Sequence, residues 1–573
     1  MRHEVNKSQI LNPLASLIGA TGLIVTAFYW YQGSDPVNAP KLAMLGLGAF
    51  AVLGVLVTNH NFIVRHSSKW VLSGVVVFIL GLLAPIFFAD ANKTQMIFGV
   101  YGRNTGFLTY FAFVVLFLAS QLLQTREQIK KILVFFFVAV VTNQLVSLLQ
   151  ILGLNPLRVN DLFGTIIGTF GNPNFISAFM GMAAVMAIAF SFTYKRFTKV
   201  WMLLTLNSLL SIWFVLVSNS KQGLIIVVAG SMLILLIWIY HSGLNRNYLR
   251  LYSLFLTLAL ALGVLGISNK GPLASLIYES SIGFRIRYWM AGIVMFRDHF
   301  LYGVGLNSYG DWYRFSRDAE SIVSPGLEVT ANSAHNIYID FAANGGVLLI
   351  LGYLTLALLV LRSSFTAFKN SPDFDPILST LFVGWVGYSM QGLVSIDQIG
   401  LTVWGWILGG LLIAYSNLIG NNLVAGNTND KNTKKKTEVS ALPARSAIGI
   451  FVFTLLGGLM YFQSFLVDVK WGAALRSGNP NDLRTAALRW PRDENKIGNA
   501  SYIFIQNQLD SQSLELAREG VKNFPRSTSL WRLIFQNKSA SLEERKSALE
   551  MMIKLDPRNE ELKRLLALAG SNQ

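Results

Sequence analysis

Apolar stretches long enough to cross a bilayer dominate this chain. A membrane-spanning helix needs about 20 predominantly apolar residues. The expected spans are 13–32, 40–58, 70–88, 105–124, 130–152, 174–193, 199–217, 222–241, 250–268, 336–361, 377–395, 400–420 and 446–466. Only 13% of the 573 residues are charged, against about 25% in soluble domains. The sequence therefore predicts an all-α polytopic membrane protein of about 12–13 transmembrane helices, and it excludes an ordinary soluble enzyme.

Basic residues alternate between the connecting loops as the positive-inside rule describes. Lys and Arg concentrate in the N-terminal segment and in the loops expected on the same side of the membrane. Examples in those loops are Arg126, Lys131, Lys431 and Lys434. We therefore expect a cytoplasmic N-terminus and an extracytoplasmic large loop at about 269–335. The same distribution accounts for the net charge of +17, so no nucleic-acid partner is expected.

The last hundred or so residues differ from the rest of the chain. Residues 1–466 form the expected membrane domain, whereas 467–573 are charged and read as soluble helices. Prolines recur at Pro491, Pro525 and Pro557, close to the roughly 34-residue period of tetratricopeptide repeats. The tail is therefore expected to be an extracytoplasmic α-helical repeat domain that binds a protein or an acceptor. An unrelated helical tail with chance spacing is the alternative.

The large loop holds the best candidate for catalysis, His335. It lies directly before a span, which places it near the outer membrane surface, and a histidine titrates near neutral pH and is a natural general base. An interfacial, hydrogen-bonded histidine is the simpler interpretation for such a residue taken alone. The chain contains no cysteine, and the loop has no His-x-x-x-His or carboxylate-rich pattern, so neither a metal site nor a cofactor is expected.

Cations accompany this histidine in the loops expected on the same side. They are Arg285, Arg287, Lys221 and Arg103. Arginine forks match the geometry of phosphate oxygens, so the group suits a lipid phosphate or pyrophosphate. A cation that anchors a helix end at the interface is the alternative for each of them.

Four short elements, in this order, resemble the O-antigen ligase superfamily, which also includes O-antigen polymerases and pilin oligosaccharide ligases. They are Gly168 to Phe175 with Asn172-Pro173-Asn174, Ser220-Lys221-Gln222-Gly223, Arg285 with Trp289 and Gly303-Val304-Gly305, and His335-Asn336 with Gly346. The resemblance covers roughly residues 90–420. Asp397 resembles an acidic residue that the family carries on the same side. Two positions depart from the pattern, since Lys221 replaces an arginine and Leu349 replaces a residue typical of ligases.

The resemblance implies a metal-independent, inverting glycosyltransferase in the bacterial cytoplasmic (inner) membrane. Such an enzyme transfers a glycan from undecaprenyl pyrophosphate to an acceptor hydroxyl on a glycan, lipid or protein, as in lipopolysaccharide and other polysaccharide biosynthesis. His335 would be the catalytic base. The implied pyrophosphate-binding residues are Arg285, Arg287, Lys221 and Arg103. The implied supporting residues are Asn336, Asp397 and Asn174.

Three other functions remain open from the sequence. A polymerase of the same superfamily would join lipid-linked repeat units to each other with almost the same chemistry. A transporter would suit the number of spans, although transporters usually carry Asp or Glu at the bilayer midplane and the polar residues here cluster at one side. A non-catalytic scaffold that presents the tail would leave the grouped cations and His335 unexplained.

Overall fold

The computed structural model describes residues 7–158, 164–277, 280–426 and 443–571, and these residues form helices and loops without a strand. The helices of the first half are α1 (Lys7–Ala27), α2 (Asn38–Thr58), α3 (His60–His66), α4 (Lys69–Phe88), α5 (Lys93–Phe98), α6 (Phe107–Ser120), α7 (Arg126–Ile151), α8 (Pro173–Ser191), α9 (Lys199–Val217), α10 (Lys221–His241) and α11 (Arg246–Ile267). The second half of the membrane domain contains α12 (Ala274–Ile277), α13 (Ser280–Asp298), α14 (Tyr309–Ser316), a π-helical turn (Ile322–Gly326), α15 (Ile337–Asn370), α16 (Pro376–Gly392), α17 (Ile399–Gly426) and α18 (Ala444–Ser477). The tail helices are α19 (Pro480–Ala487), α20 (Glu494–Gln506), α21 (Asp510–Asn523), α22 (Thr528–Gln536), α23 (Leu542–Leu555) and α24 (Glu560–Ser571).

The prediction of a polytopic all-α membrane protein is confirmed. Within the described residues, 11 helices are long and apolar enough to cross a membrane. The two remaining expected spans are the shorter helices α6 and α16, which pack within the same bundle. Helix α17 lies at its centre, with 94% of its apolar segment buried, whereas α11 has only 6% buried, as befits a helix that faces lipid.

The two ends of the helical bundle differ in their polar contacts and in the loops that they carry. At one end, Arg126 binds Asp375 (2.8 Å) and His241 Nε2 contacts the Phe368 carbonyl (3.1 Å). The loops at this end are those in which the sequence concentrates basic residues, although Lys431 and Lys434 lie outside the described residues. The opposite end carries the large loop and the tail, so the two lie on the same side of the bundle. The order of the loops on the two sides of the membrane and the assignment of the basic end to the cytoplasm stay predictions.

Helix α15 is broken near the end of the bundle that carries the large loop. Gly346 interrupts it with φ +68° and ψ −165°, so two carbonyls of the preceding turn have no partner within the helix. The backbone N–H of Val304 donates to the Ala343 carbonyl (2.9 Å), and that of Gly305 donates to the Asn344 carbonyl (3.1 Å). Unpaired backbone groups are costly where water is scarce. The segment 300–305 therefore completes the hydrogen bonding of the break and fixes the large loop to the bundle.

This close approach requires glycine at 346. A Cβ atom added there would lie 2.5 Å from the backbone of Leu301 and Tyr302, and φ +68° is unfavourable for other residues. Leu349, one of the two departures from the ligase pattern, is completely buried where α15 packs against Gly81 of α4. It therefore has a packing role in this chain.

Helices α8 and α10 meet at the same end of the bundle. Their contact is made by the motif with Asn172-Pro173-Asn174 and by the motif Ser220-Lys221-Gln222-Gly223. Asn172 caps α8, and its side chain accepts the Asn174 N–H (2.9 Å). The Asn174 Oδ1 in turn accepts the Ser220 hydroxyl (2.8 Å). Gly223 packs so closely on α8 that an added Cβ would lie 2.2 Å from the Ser177 carbonyl. The two motifs thus join the ends of neighbouring helices.

The tail continues directly from the membrane domain. Helix α18 passes the expected boundary at 466 without a break, and its Trp471 packs into the apolar core of the first tail helices. The tail helices pack successively on one another, as a helical repeat domain does. Their relation to tetratricopeptide repeats stays a prediction.

Gly346→Ala is expected to destabilise the protein by about 1–3 kcal/mol or more, because alanine is strained at this φ and its Cβ meets backbone atoms. The melting temperature of the detergent-purified protein should fall by several degrees. Gly458→Ala is the matched control, since an added Cβ in that helix makes only an ordinary contact of 3.5 Å. Equal melting temperatures for the two variants would contradict the role given to the break.

Candidate active site

Asp340 fixes the turn that carries His335. The Asp340 carboxylate accepts hydrogen bonds from the Ser333 hydroxyl (2.8 Å) and the Ala334 N–H (2.8 Å). The Ser333 oxygen in turn accepts the His335 N–H (2.8 Å). His335 has φ +53°, a conformation uncommon for a residue other than glycine. Such strain persists only where surrounding contacts hold it, and here Asp340 and Ser333 supply them.

The imidazole of His335 is held in its neutral form. Burial, together with the positive charges of Arg103 and Arg285, lowers its pKa to about 4. The Tyr288 ring lies 5.9 Å from the imidazole, centroid to centroid. At neutral pH the ring therefore carries no charge and has a lone pair with which to accept a proton.

Arg103 joins two separate parts of the chain. Its guanidinium donates to the Asn332 carbonyl (2.9 Å) and to the Asn332 side chain. It therefore connects the turn between α5 and α6 with the segment that leads to His335. Of the four cations singled out from the sequence, Arg103 and Arg285 are the two whose charges act on the pKa of His335.

A small cavity lies next to the turn that carries this histidine, and Ser333 and Ile337, on either side of His335 in the chain, line it. Its polar lining includes Arg103, Asn332, Asp340, Asn344 and Asp397. Tyr110 and Phe341 supply aromatic surface to the same cavity. The Asn344 Oδ1 atom is buried and has no hydrogen-bond partner among the described residues. Amide and carboxylate oxygens beside aromatic rings are suited to a ligand that carries several hydroxyl groups.

Asp397 closes one side of the cavity and is itself tightly held. Its carboxylate accepts hydrogen bonds from the hydroxyls of Tyr110 (2.9 Å), Tyr388 (3.1 Å) and Thr402 (2.8 Å). Burial raises the pKa of Asp397, and these three hydrogen bonds oppose the rise. The residue is thus a fixed acceptor at the base of the cavity. Within the described residues, no group of three or more His, Asp or Glu side chains is placed to hold a metal ion.

The two arginines of α13 have different surroundings. Trp289 packs beside the apolar core of the large loop, and Arg285 lies one helical turn before it, next to His335. Arg287 instead pairs with Asp318 (3.3 Å) and with Glu320. Two carboxylates therefore already balance the charge of Arg287, and its contacts give it a role in holding the large loop together.

Lys221, Asn174 and Asn336 lie on the same end of the bundle with separate contacts. Lys221 is exposed at the start of α10, and α16 packs between that helix and the His335 region. Asn174 binds Ser220, as described above. Asn336 caps α15 by accepting the backbone N–H groups of Tyr338 (3.0 Å) and Ile339 (3.1 Å).

Asn336 also tethers the loop before α17. Its side-chain amide donates to the Leu393 carbonyl (2.9 Å). The residue next to His335 therefore fixes both the start of its helix and the loop that carries Asp397.

Sequence reasoning missed Asp340, Asn332 and Asn344. One signal was available, because Asp340 is an ionisable residue in the opening turn of an otherwise apolar span, and such residues are usually functional. Its hydrogen bond to Ser333 depends on the turn geometry, which residue spacing does not reveal.

The region around His335 matches a known family. Residues 206–354 match the family model described as O-antigen ligase. This segment is similar to the O-antigen ligase family. The matched residues include Lys221, Arg285, His335 and Gly346, whereas Arg103 and Asp397 lie outside them. The match supports ligase-like transfer of glycans in a membrane. No curated protein matches the chain.

Asn336→Ala is expected to lower the stability of the protein by about 1–2 kcal/mol, because it removes a helix cap and a tether. Asn336→Ser keeps a cap but loses the tether, so its melting temperature should lie between those of Asn336→Ala and the wild type. The measurement is thermal unfolding in detergent. A melting temperature of Asn336→Ala equal to that of the wild type would contradict this assignment.

Proposed function

We propose that this protein transfers a glycan from undecaprenyl pyrophosphate to an acceptor hydroxyl on the extracytoplasmic face of the bacterial cytoplasmic membrane. The observation that carries the proposal is a neutral histidine with two arginines beside it, at one end of a membrane bundle whose residues 206–354 match O-antigen ligases. The positive-inside pattern supports the orientation.

Arg103 and Arg285 are the groups best placed to hold the pyrophosphate. Both act on His335, and a bidentate guanidinium suits phosphate oxygens. As the bond to the leaving group breaks, negative charge grows on the pyrophosphate, and fixed cations stabilise that charge. Lys221, at the exposed start of α10, is separated from this pair by α16 and is not assigned a contact with the pyrophosphate. Arg287 is not assigned this role, since Asp318 and Glu320 already pair with it.

His335 accepts the proton of the acceptor hydroxyl. In this step the acceptor oxygen forms a bond with the anomeric carbon, and the bond between that carbon and the phosphate oxygen breaks. The proton goes to the imidazole, and undecaprenyl pyrophosphate leaves with the bonding electron pair. Direct attack from the face opposite the leaving group predicts inversion at the anomeric carbon. No step requires a metal ion or a cofactor.

Donor binding strengthens this base. A histidine with a pKa of about 4 is a weak base while no donor phosphate lies beside Arg103 and Arg285. The negative charge of a bound pyrophosphate offsets those arginines, which raises the pKa of His335 towards its ordinary value. The base therefore becomes effective when the donor is in place.

The polar cavity suits the hydroxyl groups of a sugar. Asp340, Asn344 and Asp397 present oxygen acceptors there, and the unpaired Asn344 Oδ1 gains a partner when a hydroxyl enters. The acceptor in this proposal is a glycan, lipid or protein. A polymerase that joins repeat units would use the same groups. A ligase and a polymerase therefore differ in which lipid-linked glycans accumulate when the site is inactivated.

His335→Ala is expected to block transfer in cells and to change the pool of undecaprenyl pyrophosphate-linked glycans. Long glycans accumulating on the lipid would show a ligase, because completed chains fail to reach their acceptor. Single repeat units accumulating would show a polymerase. The measurement is the size distribution of lipid-linked glycans. A pool unchanged from the wild type would reject glycan transfer and favour a transporter.

Arg285→Gln is expected to move the acid limb of kcat/KM to higher pH. Transfer requires neutral His335, whose pKa in the free enzyme is about 4 because of burial and the nearby arginines. Removing one positive charge raises that pKa towards 6.5, so activity is lost at a higher pH as the solution is acidified. The measurement is the pH profile of undecaprenyl pyrophosphate release at low donor concentration.

Arg287→Gln is the matched control for this experiment. It lies on the same helix, but its charge is balanced by Asp318 and Glu320. Its acid limb should stay at the wild-type position. Equal shifts in the two variants would show that Arg285 has no particular influence on His335.

A further inference from the structure

The tail contacts the membrane domain on both sides of the candidate site. Its polar contacts with that domain include Asn523 to Asn92 (2.8 Å), Arg532 to Glu328 (2.7 Å) and Arg558 to Phe315 (3.1 Å). The guanidinium of Arg526 stacks on the Trp312 ring, 3.4 Å from its centroid. A tail that only displayed a binding surface would not require such extensive docking. Two further contacts are made by tail carboxylates, Asp493 and Asp556, and hold segments that lead directly to the site.

Asp493 holds the turn that carries Arg103. Its Oδ2 atom accepts the backbone N–H of Tyr101 (3.1 Å), two residues before Arg103. The other oxygen, Oδ1, caps α20 by accepting the N–H groups of Asn495 (2.9 Å) and Lys496 (3.2 Å). One carboxylate therefore fixes the start of a tail helix and the turn of the site at the same time.

Lys496 reinforces this contact from the same helix. Its ammonium group lies 4.8 Å from the centre of the Tyr101 ring. The Tyr101 hydroxyl donates to Ser34 (2.7 Å), which extends the network to the start of α2. The turn before Arg103 is thus held from the tail and from the membrane bundle.

Asp556 holds the segment that leads to His335. Its Oδ2 atom lies 2.6 Å from Arg317 and 3.2 Å from Arg314, and all three side chains are buried. The same two arginines donate to the Leu327 carbonyl, at 2.8 and 3.2 Å. Arg314 also donates to the Glu328 carbonyl (2.9 Å). Removing one member of such a buried ion cluster leaves uncompensated charge.

The contacts made by Asp493 and Asp556 both act on the hydrogen-bonded pair Arg103 and Asn332. Asp493 acts on the Arg103 turn, and Asp556 acts on the segment that ends in Asn332 and His335. Arg103 and Asn332 are hydrogen-bonded to each other. The distance between the phosphate-binding arginine and the base is therefore set by two segments that the tail holds.

We propose that the tail is part of the catalytic unit, with Asp493 and Asp556 as positioning residues that keep Arg103 beside His335. This inference rests on the proposed function, and it gives the tail a role that precedes any binding of a partner. A misplacement of about 1 Å in such a site can cost about 10²-fold in rate.

Asp493→Asn tests the proposal without removing the helix cap. Asparagine is as good an N-cap as aspartate, so its oxygen can still cap α20. The atom facing Tyr101 then becomes an amide N–H₂, which cannot accept the backbone N–H. The full-length variant should melt close to the wild-type temperature yet hold the Arg103 turn poorly.

The assay is release of undecaprenyl pyrophosphate by the full-length protein. The donor is lipid-linked glycan extracted from cells that carry the His335→Ala variant. We expect Asp493→Asn to lower kcat/KM by about 10- to 100-fold and to move its acid limb to higher pH, because Arg103 no longer lowers the pKa of His335. A merely structural contact would not move that limb.

Asp482→Asn is the matched control, since it is the same change at an exposed position of the tail. Its rate and pH profile should equal those of the wild type. Asp556→Asn supplies a second test, with a comparable loss of rate and recovery in Asp556→Glu. Wild-type rates in both Asp493→Asn and Asp556→Asn, or a lower rate without a moved acid limb in Asp493→Asn, would overturn the proposal.

The same assay separates this inference from the proposed function. If His335→Ala abolishes release while the tail variants behave as the wild type, only the positioning role fails. If His335→Ala releases undecaprenyl pyrophosphate at the wild-type rate, the proposed function itself fails.

Discussion

The candidate site depends on how the broken helix α15 satisfies its backbone. Gly346 leaves the carbonyls of the preceding turn without helical partners. The backbone N–H groups of Val304 and Gly305 donate hydrogen bonds to these carbonyls instead. This exchange fixes the large loop to the bundle near its surface. It also separates a short opening segment of α15, whose Asp340 holds the His335 turn, from the long segment that crosses the membrane. One backbone irregularity therefore gives the site both its position and its rigidity.

Electrostatics then gives the site its character. Burial and two nearby arginines together keep the His335 imidazole neutral, and the same arginines are suited to an anion. A leaving pyrophosphate needs positive charge, and an acceptor hydroxyl needs a neutral base, so one arrangement meets both requirements. The polar cavity beside it adds oxygen acceptors for hydroxyl groups. These features, together with the match of residues 206–354 to O-antigen ligases, favour transfer chemistry over transport.

The sequence predicted the helical bundle well because span length and apolar composition follow directly from bilayer thickness. Motif order likewise pointed to His335 and Arg285, which the structure brings together. Other contacts join residues far apart in the chain, and residue spacing does not reveal them. Arg287 finds carboxylates in a later segment of the loop, and Asp340 reaches Ser333 through a turn. The docking of the tail through Asp493 and Asp556 depends on tertiary packing in the same way.

The most direct test of the account is the rate at which purified protein releases undecaprenyl pyrophosphate from its lipid-linked glycan in the presence of native acceptor membranes. We expect His335→Ala to lower this rate by about 10²–10⁴-fold, because it removes the general base. His299→Ala serves as the comparison, since that histidine packs against Trp312 in the large loop, and it should retain a rate near that of the wild type. A near-normal rate for His335→Ala would contradict the assignment of this histidine as the base.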